Sequence, residues 1–197
     1  MLKITDVEFY KSYSHLNIDS IDNKDMYEFA FIGRSNVGKS SLLNHLCNRK
    51  IAYVSQTPGK TRLINYFLIN KKFYFVDLPG YGYAKVPKQE RINWVKFIER
   101  YLFDNPRLKC LFLLYDCRRI PNEYDKIIAN WAKTLQDTEK IYILTKVDKI
   151  SKNELINQKI RIALELMVDQ RYFYYYSVTK NIGRIDILKK IEEILKK

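Results

Sequence analysis

Three cysteines in 197 residues, Cys47, Cys110 and Cys117, have no C-x-x-C spacing and are odd in number, which argues against a disulfide framework and against a cysteine-built zinc site. At least two lie in runs that read as core elements, so they are taken as buried, reduced thiols. No run reaches the ~18 consecutive apolar residues that a membrane-spanning helix needs. Met1 to Tyr10 carries Lys3, Asp6 and Glu8 where a secretory signal would be apolar. A soluble, cytoplasmic protein is expected. The chain has no internal repeat and no low-complexity tract. Acidic residues are in short supply, 22 against 35 Lys and Arg, for a formal net charge of +13. That surplus favours polyanionic partners such as RNA or an anionic membrane surface and says nothing about fold; over-use of lysine by the source organism would also produce part of it.

What remains is the length and the 47% hydrophobic content of one domain with a continuous core. From about Tyr27, strand-like runs alternate with helix-length segments, the pattern of a parallel sheet covered by helices. The strands are Tyr27 to Ile32, Ile64 to Ile69, Phe73 to Val76, Cys110 to Tyr115, Ile141 to Leu144 and Arg171 to Tyr176. The helices are Ser40 to Cys47, Gln89 to Phe103, Glu123 to Leu135, Asn153 to Met167 and Ile185 to Leu195. Only Asn70, Lys71 and Lys72 separate the second and third strands, which forces a hairpin. The expected fold is α/β, three-layered, with a six-stranded mostly parallel sheet and one antiparallel edge strand. Residues 1–26 read as a polar lead-in, part of which can pair with the sheet edge, and 27–197 as the domain. Two gaps, Asn48 to Leu63 and Leu78 to Lys88, exceed tight turns and are expected to be functional.

Gly33-Arg34-Ser35-Asn36-Val37-Gly38-Lys39-Ser40 fits G-x-x-x-x-G-K-[ST] between a strand and a helix. Its glycines let backbone N–H groups and a helix N-terminus wrap phosphate oxygens; Lys39 reaches the β/γ-phosphates and Ser40 offers Mg²⁺ a hydroxyl. Asp77-Leu78-Pro79-Gly80 follows a strand, placing a carboxylate for Mg²⁺ and the Gly80 amide beside a γ-phosphate. Thr145-Lys146-Val147-Asp148 ends another strand. A carboxylate there accepts from N1–H and the 2-amino group of guanine, a donor pair that adenine lacks, while the Lys146 stem lies along the purine. The stretch Tyr176-Ser177-Val178, after the last strand, is where a backbone amide would meet the guanine carbonyl.

These four elements, in this order, resemble the TRAFAC translation-factor-related GTPases. The loop from Gly33 to Ser41, the run Thr57-Pro58-Gly59-Lys60-Thr61 and the run Asp77-Leu78-Pro79-Gly80-Tyr81-Gly82-Tyr83-Ala84 are similar to the EngB/YsxC/YihA branch. The resemblance spans about Tyr27 to Lys197. It implies a P-loop G domain that binds GTP and GDP with Mg²⁺ and hydrolyses GTP slowly. It further implies a monomeric switch in assembly of the large ribosomal subunit, acting on rRNA or ribosomal proteins, with a linked role in cell division and septation. Thr61 then matches the switch threonine that completes the Mg²⁺ shell, with Gly59 and Lys60 beside it. Lys39, Asn36, Thr61 and Gly80 would be the catalytic set, and Ser40, Thr61 and Asp77 the metal set. Tyr81 stands where Ras-like GTPases carry a water-orienting glutamine, a job a phenol does poorly. Asn36 matches an asparagine that in related GTPases helps hold K⁺; the other reading is a turn residue with no ion. Thr145 replaces a frequent asparagine, which puts a tie to the phosphate loop in question. Two other functions stay open: a GTP-dependent division regulator acting on a protein partner, and a small-molecule kinase in which the Thr145–Asp148 pattern is coincidence. Lys85, Lys88 and Arg91, directly after the Asp77–Ala84 run, would form a basic segment for RNA, with Tyr83 of that run either stacking on a base or packing against the protein.

Overall fold

The computed structural model describes residues 1–14, 26–52, 63–82 and 88–197. In chain order its elements are β1 (Val7–Tyr13), β2 (Glu28–Gly33), α1 (Lys39–Cys47), β3 (Ile64–Ile69), β4 (Phe73–Asp77), α2 (Lys88–Phe103), β5 (Leu108–Asp116), α3 (Glu123–Thr134), β6 (Glu139–Thr145), α4 (Lys152–Leu166), β7 (Phe173–Tyr176) and α5 (Arg184–Leu195). The strands form one sheet in the order β1-β3-β4-β2-β5-β6-β7. From β4 to β7 every pairing is parallel.

Alternation along the strands builds two cores. In β2, Phe29 and Phe31 face α1 and α5, meeting Leu42, Leu43, Leu46, Ile187, Leu188 and Ile191. Ala30 and Ile32 face the other way, toward Ile98 and Leu102 of α2, Ile128 and Ala132 of α3, and Ile162 and Leu166 of α4. All six residues of β2 are buried, as both faces of a central parallel strand must be. Aromatic rings fill the first layer: Phe31 stacks on Phe112 at 4.5 Å and meets Phe75 edge-on at 5.2 Å.

Among the described residues the sheet has seven strands where six were expected, and the antiparallel strand is not the edge. β3 runs antiparallel to β4, and β1 runs antiparallel to β3 on its outer side, so β1 is the edge and shares the direction of the parallel strands. The hairpin between β3 and β4 turns through Asn70 and Lys71, both left-handed (φ 50° and 55°), closed by Lys72 N–H on Ile69 O at 2.9 Å. A turn with two positive-φ residues matches the twist of the strands it joins. The Asn70 side chain then docks the N-terminal segment. Its Oδ1 accepts from the N–H groups of Thr5 and Asp6, and its Nδ2 donates to Lys3 O. β1 shows little alternation because most of it is solvated on both faces.

One buried charge anchors the pole where the parallel strands begin. Glu28 accepts from the hydroxyls of Tyr66 (3.1 Å) and Tyr101 (2.9 Å) and from Asn105 Nδ2 (2.8 Å), and pairs with Arg107 at 3.2 Å. A carboxylate with four donors is satisfied, which is the condition for burying it. Loops at the opposite pole, after β2, β4, β5, β6 and β7, are left to meet one another.

Candidate nucleotide-binding site

The loop after β2 keeps its open shape through backbone conformation and ties to other strand ends. Asn36 (φ 64°) and Gly38 (φ 104°) are both left-handed, and Gly38 directly precedes α1 as its N-cap, with no side chain capping the helix N–H groups. At φ near 100° a side chain would be strained, so glycine is required there. The uncapped first turn of α1 directs its N–H groups and dipole into the hollow of the loop, the arrangement that binds an anion.

Lys39 and Ser40 are the first two residues of α1, and Ser41 follows. Lys39 is buried, with its ammonium in contact with the buried carboxylate of Asp77 at the end of β4. Two opposite charges taken out of water must meet each other or a ligand. Leu78 and Pro79 are buried, and Leu78 N–H continues the sheet by donating to Phe31 O at 3.1 Å. Gly80 lies against the phosphate loop so closely that a Cβ would sit 3.3 Å from the Ser35 nitrogen. The Ser35 N–H donates to Tyr81 O at 2.9 Å, and Arg34 bridges to Tyr81 as a parallel pair.

The loop after β6 reaches the same place from the other side. The Thr145 hydroxyl is buried and donates to Val37 O at 2.7 Å, with Tyr115 O at 3.2 Å. Threonine therefore makes the tie to the phosphate loop that its replacement of asparagine had put in question. Lys146 is left-handed (φ 60°), and its ammonium donates to Asn36 O at 2.7 Å. Val147 is buried. Asp148 accepts from the Ser177 hydroxyl at 2.7 Å and faces Lys149 at 3.3 Å. The Ser177 hydroxyl, followed by Lys149, holds the Asp148 carboxyl down to about 2, so it is ionised near neutrality and acts only as an acceptor. Tyr176 is buried with its hydroxyl 2.9 Å from His45 Nδ1, and Val178 is exposed.

The structure thus brings together Gly33–Ser41, Asp77–Gly80, Thr145–Asp148 and Tyr176–Val178 at one pole of the sheet, beyond the ends of β2, β4, β6 and β7. Thr57, Gly59, Lys60 and Thr61, together with Tyr83, Ala84 and Lys85, lie outside the described residues, as do the side chains of Lys88 and Arg91. Among the described residues no three His, Cys, Asp or Glu side chains cluster as a closed metal cage. A hydroxyl at Ser40 and a carboxylate at Asp77 are hard oxygen donors, and so few of them suit Mg²⁺, which keeps part of its own water.

Residues 28–146 match a family model described as 50S ribosome-binding GTPase. The probable GTP-binding protein EngB of Fusobacterium nucleatum is 46% identical over 195 residues, spanning 98% of this chain and 99% of that protein. The chain belongs to the EngB family of GTP-binding proteins. The probable EngB of Clostridium beijerinckii is 48% identical over 193 residues, 96% of each chain. A crystal structure of a probable engB protein superposes with a TM-score of 0.71 at 24% identity, covering 86% of this chain and 98% of the other, which establishes the shared G-domain fold.

In this chain Tyr81 faces the core, away from the hollow of the phosphate loop. It is buried between Trp94 (5.5 Å) and Tyr124 (6.3 Å), and its hydroxyl donates to Asp125 Oδ1 at 2.7 Å. Burial, reinforced by the Asp125 charge, pushes the phenol well above its usual range, so the proton stays on oxygen. The other Asp125 oxygen accepts from Asn122 N–H at 2.7 Å while the Asn122 side chain caps α3 in return. The loop after β4 is thereby bolted to α3, and Trp94 adds a bond from its indole N–H to Pro79 O at 3.3 Å.

Two contributors were not legible in the chain. The Ser177 side chain, not only its backbone, orients Asp148. Asp116, at the end of β5, accepts from Lys146 Nζ at 3.0 Å and from Arg118. Neither carries a motif of its own; position after a parallel strand next to β6 was the available signal.

Thr145→Val keeps the shape of the side chain and removes its donor, leaving Val37 O and Tyr115 O without it. Unfolding free energy should fall by about 1–2 kcal/mol in urea titrations, and GDP affinity by about tenfold, because the lost bond fixes the loop that wraps the phosphates. Unchanged GDP affinity in a folded variant would show that the phosphate loop holds its shape without Thr145.

Proposed function

We propose that this chain is a guanine-nucleotide switch: it binds GTP and GDP with Mg²⁺, hydrolyses GTP slowly, and in its GTP state engages the large ribosomal subunit or its precursor, with a linked role in cell division and septation. The observation that carries the nucleotide reading is convergence. A buried Lys39–Asp77 pair, an uncapped helix N-terminus and an ionised Asp148 held by Ser177 lie at one pole of the sheet, beyond the ends of β4, β2 and β6. Lys39 and Asp77 satisfy each other in this structure. With nucleotide present, Lys39 would turn to the β/γ-phosphates, and Asp77 with Ser40 would hold the cation. Bound Mg²⁺ supplies charge neutralisation on the phosphate oxygens.

Asp148 selects guanine because its carboxylate would accept from N1–H and the 2-amino group, a donor pair that adenine lacks. Lys146 walls the purine face. The Gly80 amide sits beside the phosphate loop, where a γ-phosphate would meet it, and this contact would tell GTP from GDP. Thr61 is proposed to complete the metal shell. No described side chain replaces the water-orienting glutamine, since Tyr81 is committed to Asp125, which supports slow hydrolysis, below about 10⁻² s⁻¹.

The ribosomal reading rests on the family model's description and on the +13 charge, which suits an RNA-rich partner. Sedimentation of the protein with purified large subunits, with a non-hydrolysable GTP analogue and with GDP, tests it. The analogue should give the tighter complex, weakening steeply as salt is raised. Equal binding of both states, or none at low salt, would move the partner to a protein.

Asn36 sits exposed at the apex of the phosphate loop with its backbone left-handed, and we propose its side chain as a K⁺ ligand that assists hydrolysis. Exchanging Na⁺ for K⁺ at constant ionic strength should raise the GTP turnover rate several-fold, and equal rates in the two salts would reduce Asn36 to a turn residue.

A further inference from the structure

We infer that Asp116 is a positioning residue for the base: together with Cys117 it fixes Lys146 as a rigid wall of the guanine pocket. The inference rests on the nucleotide reading above and adds to it a fifth loop, the one that follows β5.

β5 and β6 are paired in parallel with Asp116 directly opposite Thr145, so the first residues beyond the two strands run side by side. Asp116 is buried at that end of the sheet. One of its oxygens accepts from the Arg118 backbone N–H (3.1 Å) and Nε (2.9 Å). The other accepts from Arg118 Nη2 (2.7 Å) and from Lys146 Nζ (3.0 Å). Arg118 therefore orients the carboxylate, and the orientation it imposes aims one oxygen at Lys146. The same donors hold the Asp116 carboxyl down to about 2 against the opposing effect of burial, so the acceptor stays charged.

The neighbouring residue grips the other end of Lys146. Cys117 N–H donates to Thr145 O at 3.2 Å, and the Cys117 thiol donates to Lys146 O at 3.4 Å. The Lys146 backbone is left-handed, an uncommon conformation for a non-glycine residue that the surroundings must impose. A lysine stem is otherwise one of the most mobile side chains. Here the carbonyl end is held by Cys117 and the ammonium end by Asp116 and by Asn36 O. The four methylenes between are stretched along the side of the site that faces the phosphate loop; a Cβ on Gly38 would lie 3.9 Å from Lys146 Cε. An apolar stem already fixed before binding costs nothing to order when a purine lies on it. The Asp116 carboxylate is taken up by Arg118 and Lys146. It acts through Lys146.

A double-mutant cycle on the full chain, read as GDP affinity with a fluorescent GDP analogue, separates this role from a merely structural one. Asp116→Asn should weaken GDP binding about tenfold in the parent, and by less than about twofold in a Lys146→Ala background, where there is no stem left to position. Losses of the same size in both backgrounds would overturn the inference and leave the nucleotide site intact. Wild-type GDP affinity in Lys146→Ala would overturn the base-site reading itself and this inference with it. If Asp116→Asn does not fold, Asp116→Ser, which is smaller, takes its place in the same cycle and is judged by the same two ratios.

Discussion

The phosphate loop cannot hold its own shape. Its chemistry requires successive backbone N–H groups to face one hollow, so those groups cannot spend themselves on the loop's internal hydrogen bonds, and only Val37 N–H to Arg34 O at 3.1 Å closes a turn within it. The shape is supplied from outside. Tyr81 O accepts from Ser35 N–H, the Thr145 hydroxyl holds Val37 O, and the Lys146 ammonium holds Asn36 O. These come from the ends of β4 and β6, on either side of β2 in the strand order β4-β2-β5-β6. Preorganised dipoles of this kind keep their value because nothing need reorganise when charge arrives.

That dependence couples the two ends of the site. The residues that clamp the phosphate loop on one side belong to the segment that would read the base, and the residue that clamps it on the other belongs to the segment that would sense the γ-phosphate. The second segment is in turn fixed to α3 through Tyr81 and Asp125, and to α2 through Trp94 and Pro79. A shift of the Gly80 backbone toward a phosphate would pull on the buried hydrogen bond from Tyr81 to Asp125 of α3. Packed cores pass such strain on because they hold few voids to absorb it.

The sequence was legible wherever one element carried its own periodicity or motif. Five helices and six strands were placed within a few residues, since buried parallel strands such as β2 and β5 are near-continuous apolar runs. β1 was not, because a solvated edge strand shows no alternation and its pairing depends on a contact with Asn70 some 65 residues away. Motifs singled out the loops that the structure brings together after β2, β4 and β6, but not the side chains that hold them. Ser177, Asp116 and Cys117 act through bonds to residues 29 or 30 positions distant, and no local pattern records such pairs. Tyr81 could be singled out in the chain, but its orientation is a property of packing against Trp94 and Tyr124.

Base recognition by Asp148 is the claim on which the nucleotide account stands, and exchanging its chemistry tests it most directly. An asparagine there offers a donor where the carboxylate offered an acceptor, and xanthine carries a carbonyl where guanine carries the 2-amino group. Calorimetric titration of Asp148→Asn with GDP and XDP should show GDP affinity falling by roughly 100-fold or more and XDP affinity rising above that of the parent. A folded Asp148→Asn protein that keeps full GDP affinity, or gains none for XDP, would contradict it.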